Sequence, residues 1–129
     1  MTRPTLLALD TRHDYSKPAP GADADHQWLT SSTLSPTGWS EPVRATDPAG
    51  GWVGGYAGTT TSDGSYVVVY GKRRPWRSVA VWSVTYSSGA WSKARIVAPP
   101  MKARQRSSGA WLAVPVAAPD GTVTASWVL

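Results

Sequence analysis

The chain has 129 residues, enough for one domain, with 13 Lys/Arg against 8 Asp/Glu and a formal net charge of +5. It has no cysteine, which excludes a disulfide framework and a thiolate metal site, and no apolar run long enough to cross a bilayer as a helix. No basic segment followed by an apolar core opens the chain, so no secretory signal is read and no compartment is assigned.

Helix formers are scarce: there is one Glu, while Thr, Ser, Val, Gly and Pro dominate. Strand-like segments are expected at 5–9, 26–34, 39–45, 52–60, 65–71, 77–86, 91–98, 110–117 and 121–128. Segments 10–25 and 99–109 read as loops, the first rich in Pro, Asp and Ala, the second carrying Lys102, Arg104 and Arg106. In Arg77–Tyr86, Val79, Val81, Ser83 and Thr85 fall on one face and Ala80, Trp82, Val84 and Tyr86 on the other. Asp63-Gly64 and Asp120-Gly121 read as hairpin turns, and Thr37-Gly38 and Ser88-Gly89 as turns before Trp39-Ser40 and Trp91-Ser92.

These signals come twice. The Trp-Ser pairs stand 52 residues apart and the Asp-Gly pairs 57 apart, with Trp52 and Trp111 ahead of the respective Asp-Gly turns. The internal repeat spans approximately 39–90 and 91–129 of a single all-β domain covering 1–129. One full copy, from about Trp52 to Val97, holds four antiparallel strands, the size of a propeller blade. The expected fold is therefore all-β, with propeller-like four-stranded antiparallel blades, about two per chain. The alternative is a small closed β-barrel or sandwich. Two blades do not close a ring by themselves, which points to a homo-oligomer in which chains complete one another or to a piece of a longer propeller. Trp39 with Trp91, and Trp28 with Trp82, are expected to pack between blades.

GWSEPVRA, GAWSKARIVA, DGSYVVVY and DGTVTASW resemble blades of the sialidase-like, BNR-type propellers common in bacteria. The resemblance covers residues 26–129 at the level of the blade. The family's Asp-box, Ser-x-Asp-x-Gly-x-Thr-Trp, is not intact: Thr61-Ser62-Asp63-Gly64-Ser65-Tyr66 keeps the acid and a glycine but not the spacing. Sialidase chemistry is therefore not implied.

The charge is uneven. Residues 1–70 hold four Lys/Arg and seven Asp/Glu, whereas residues 71–129 hold nine Lys/Arg and one Asp. Lys72-Arg73-Arg74-Pro75-Trp76-Arg77 concentrates four cations around an indole, close to Tyr70, in what reads as a loop between two strands. Arg stacked on Trp with paired hydrogen-bond donors suits a carboxylate, a phosphate or a hydroxylated ring. Arg73, Arg74, Trp76, Arg77 and Tyr70 are the expected ligand contacts of a non-enzymatic, lectin-like module. Its partner would be a carbohydrate or another anionic or hydroxylated small ligand, with no cofactor, no metal and no membrane.

A different reading is a small β-structured enzyme acting on a glycan or small molecule, with an acid or base drawn from Asp10, His13, Asp14 or His26. These sit with Asp23 and Asp25 in the expected N-terminal loop, but their spacing fits no metal-ligand motif. No Gly-x-Ser-x-Gly elbow is present, and the glycines at 50–55 precede a strand rather than a helix. A third reading is single-stranded nucleic acid held by cations and stacked aromatics.

Overall fold

The computed structural model describes residues 5–13, 25–47, 52–73, 78–102 and 112–128. Among these there is no helix, and so none long and apolar enough to cross a membrane. Eleven strands are formed: β1 Thr5–His13, β2 Asp25–Ser35, β3 Gly38–Trp39, β4 Val43–Arg44, β5 Trp52–Thr60, β6 Tyr66–Arg73, β7 Ser78–Ser87, β8 Ala90–Trp91, β9 Arg95–Lys102, β10 Leu112–Ala117 and β11 Val123–Val128.

They make three antiparallel sheets, and none closes on itself as a barrel. The N-terminal sheet runs β1-β2-β3, with β4 also on β2. The central sheet runs β5-β6-β7-β8, with β9 also on β7, and β10 and β11 form a separate hairpin. The strand expected at 5–9 is present as β1 and runs on to His13. β1 pairs with β2 over nine residues, from Thr5↔Thr33 to His13↔Asp25. Residues 10–13 are therefore strand, not loop, and β9 likewise carries strand structure through Lys102. In both places an antiparallel partner overrides the weak strand preference of Asp, His and Lys.

The two Asp-Gly turns share three hydrogen bonds, and the first adds a fourth, from Thr61 Oγ1–H to Asp63 Oδ1, where the second has Ala118. Thr61 N–H donates to Ser65 O (2.8 Å), Gly64 N–H to Thr61 O (3.0 Å) and Ser65 N–H to Asp63 Oδ1 (2.9 Å). Ala118 N–H donates to Thr122 O (2.8 Å), Gly121 N–H to Ala118 O (3.0 Å) and Thr122 N–H to Asp120 Oδ1 (2.9 Å). The glycines carry the positive φ, +85° and +88°, which a side chain would strain. The aspartates serve instead as acceptors: the Thr61 hydroxyl and then the Ser65 N–H hold the Asp63 carboxyl, and the Thr122 N–H the Asp120 carboxyl, below the usual carboxylate range.

The expected strands at 39–45 and 91–98 are each interrupted after the Trp-Ser pair. Ser40 N–H donates to Thr33 O while Ser40 Oγ accepts from Thr33 N–H, both at 3.0 Å. Ser92 does the same with Thr85, at 2.8 and 3.0 Å. The serine hydroxyl stands in for a ladder carbonyl, and the chain leaves the sheet for a few residues before β4 and β9 begin.

The central sheet is covered on both faces. On one, Val68, Tyr70, Val84 and Val53 pack against Leu29 and Ala45 of the N-terminal sheet. On the other, Val69, Val81 and Ala98 meet Ala125 and Trp127 of the hairpin. The alternation read from 77–86 matches this division, with Val81 facing the hairpin and Trp82 and Val84 facing the N-terminal sheet. The fully buried large side chains are Leu29, Val68, Val69, Val81 and Val84, each contributing about 1.5–3 kcal/mol.

Candidate functional site

Leu29 and Ala45 of the N-terminal sheet pack on Val68, Tyr70 and Val84 of β6 and β7. Beside this contact, between Arg44–Asp47 and the strands β6, β7 and β8, lies an open cleft of about 740 Å³. One wall is Arg44–Asp47; the floor is Tyr70, Lys72, Ala80, Trp82 and Val84; the far rim is Trp91–Ala94.

Local hydrogen bonds fix the first wall. Leu29 O accepts from both Ala45 N–H (2.8 Å) and Thr46 N–H (3.4 Å), and Leu29 N–H donates to Thr46 Oγ1 (2.9 Å). This double use of one residue buries Ala45 and Thr46 and carries the chain past the end of β4, leaving Asp47 exposed. Arg44 lies over the Trp28 ring, its Cζ 5.0 Å from the ring centroid, a cation–π contact that orients the guanidinium.

The floor comes from facing positions of β6 and β7. Tyr70 pairs with Trp82 and Lys72 with Ala80, so the phenol, indole and ammonium rise from neighbouring rows of one sheet face. Tyr70 is only 4% exposed. Burial, with the Asp47 carboxylate as a lesser cause, pushes its phenol up to about 12. It is a neutral hydroxyl at any physiological pH, able to donate as well as accept.

The rim is anchored by Trp91. Its Nε1–H donates to Ser31 Oγ across the sheet interface (3.0 Å). Its ring meets Tyr66 edge-on, centroids 6.4 Å apart, and Tyr86 at 5.3 Å. Gly58 makes room for this cluster, since a Cβ there would stand 2.1 Å from Tyr66 Oη. Ser92 then turns the chain outward and leaves Lys93 and Ala94 exposed along the cleft edge.

The cleft thus gathers Arg44, Lys72 and Lys93 against one carboxylate, Asp47, beside half-buried Trp82 and Trp91. Of the ligand contacts expected from sequence, Tyr70 lines it. Lys72 and Arg73 lie on β6, not in a loop, because β6 continues against β7 as far as Arg73↔Val79. Arg74, Trp76 and Arg77 lie outside the described residues, as does Asp14. Asp10 and His13 are strand residues paired with Trp28 and Asp25, and His26 is paired with Arg12. Among the described residues no group of three His, Cys, Asp or Glu is placed to hold a metal ion.

Trp39 is not packed between sheets as expected but is 53% exposed. The described residues include no layer over it equivalent to the one that covers Trp91. Arg44, Lys93, Trp82 and Asp47 were not singled out as site residues in the sequence. They come together only through the packing of one sheet on the other, which no local pattern encodes.

Comparison with known proteins found no matching family model, no similar curated protein and no similar solved structure.

Proposed function

We propose that this chain is a non-enzymatic binding module of propeller-like build, its sheets acting as blades, and that the cleft takes a carbohydrate. The observation that carries the reading is the composition of that cleft: two indoles and a neutral phenol beside three cations and one carboxylate, in a space large enough for a small ligand. An indole offers an apolar face to the C–H face of a sugar ring. Lys72 and Lys93 donate to hydroxyl or acidic groups, Arg44 adds positive charge at the edge with its guanidinium held on Trp28, and Tyr70 both donates and accepts. Arg73, Arg74, Trp76 and Arg77, which follow Lys72 in the chain, are proposed as further contacts for the same ligand.

The test is a glycan array with the purified chain, followed by titration calorimetry on any glycan captured. Lys93→Gln, at an exposed position, and Trp82→Ala should each weaken that binding roughly tenfold or more. Circular dichroism would confirm that each variant folds. Capture of no glycan, or full affinity in a folded Lys93→Gln and Trp82→Ala pair, would overturn the reading. Capture of single-stranded nucleic acid in place of any glycan would replace it.

A further inference from the structure

The two Asp-Gly turns lead into strands that are unequally partnered. Counted from the turn glycines, Val123 of β11 stands where Tyr66 stands in β6, Thr124 where Val67 stands, and Trp127 where Tyr70 stands. β6 is hydrogen-bonded on both edges, to β5 and, from Tyr66↔Tyr86 to Arg73↔Val79, to β7. Among the described residues β11 is paired with β10 alone. Counted from the Trp-Ser turns, the counterpart of β7 is β2, with Thr33 where Thr85 stands and Ser32 where Val84 stands.

We propose that a second copy of this chain pairs its β2 with the open edge of β11, in the place that β1 holds within the chain. The product is a composite sheet, β10-β11 of one copy continued by β2-β3/β4 of the other, ordered like β5-β6-β7-β8/β9.

Two observations support it. The faces agree: the hairpin face bearing Ala125 and Trp127 packs on its own central sheet, and the β2 face bearing Leu29 and Ser31 packs on that of the second copy. The composite sheet is therefore held between two central sheets. Exchange of β1 for β11 replaces one ladder with another and adds burial, because Val114 and Val116, 40% and 63% exposed, turn toward the second copy's central sheet. Such a contact is head-to-tail, so it propagates to a ring if the rotation closes and to a filament if it does not.

The chain lacks cysteine, so introduced thiols report pairing cleanly. Thr124→Cys in one preparation and Thr33→Cys in another place thiols at the counterpart of the Val67↔Thr85 pair. Mixed under mild oxidation, they should give a covalent heterodimer roughly tenfold more abundant than Thr124→Cys mixed with Ser32→Cys, whose side chain is on the other face. Light scattering on the unmodified chain should give a multiple of 13.7 kDa. Val116→Glu, at an exposed position, should raise the dissociation constant roughly tenfold or more. A 13.7 kDa particle at every concentration up to hundreds of micromolar, or equal cross-linking of the Ser32→Cys mixture, would overturn the proposal.

Discussion

The two Trp-Ser turns share their ladder hydrogen bonds yet place their tryptophans in opposite settings. Trp91 is half-buried against Tyr66 and Tyr86 and bonded to Ser31 of the adjoining sheet; Trp39 is mostly exposed. The turns themselves also differ. Ser88 and Gly89 both adopt positive φ, 51° and 82°, giving the mirror-image turn that suits a two-residue hairpin. In the other copy Pro36 cannot take positive φ. The left-handed residue there is Gly38, at φ +117°, and Ser35 Oγ steadies the bend through Thr37 and Gly38 O. What is conserved is the exit from the turn, where Ser40 and Ser92 return to the preceding strand. Backbone geometry here is local, whereas the environment of the indole depends on which sheet lies across from it.

The largest expected effect would break this contrast. Trp91→Ala should destabilise the fold by about 3 kcal/mol, the low end for loss of a large core aromatic. Trp39→Ala should shift stability by less than about 0.5 kcal/mol, as surface substitutions do. Urea midpoints of the two variants, compared side by side, decide the matter; equal losses would contradict the difference in setting.

A smaller effect sharpens it. Gly58→Ala drives a methyl into the Tyr66 ring, which supports Trp91 and nothing near Trp39. A cost of about 1–3 kcal/mol is expected from this overpacking. Loss of near-ultraviolet dichroism from the Tyr66–Trp91 pair should accompany it.

The smallest effect concerns the other pair of repeated turns, where a single hydroxyl separates the two copies. The folded-state carboxyls of Asp63 and Asp120 lie below the ordinary aspartate value of about 3.9. Their contribution is therefore present above that value and is lost as pH falls through the depressed folded values. Asp63→Asn and Asp120→Asn should each flatten the fall in urea midpoint between about pH 5 and pH 3, the former by more because Asp63 alone also accepts from a threonine hydroxyl. Equal flattening would show that the Thr61 hydroxyl adds nothing in solution.

Much of the strand layout was legible because it is written in short-range signals. Asp-Gly, Ser-Gly and Trp-Ser set turns through φ preference and a side-chain hydroxyl, and period-two alternation assigned the faces of β7. What escaped was set between segments. Asp10–His13 became strand because β2 lies opposite, and the expected strand 39–45 broke at Ser40 because its hydroxyl replaced a ladder bond. Tyr70 was found as a site residue from its neighbourhood of cations. Arg44, Asp47, Trp82 and Lys93 reach the same cleft from segments that sequence spacing does not bring together.

Gln27 Oε1 of β2 accepts Val53 N–H at 2.7 Å, ahead of the register shift in which β5 slips against β6. A side chain from one layer thus does the work of a missing strand in the next. Amide exchange at Val53 consequently tracks whether the two layers stay docked, independent of whether either one has unfolded. One backbone proton would distinguish a molecule that opens like a book from one that melts whole.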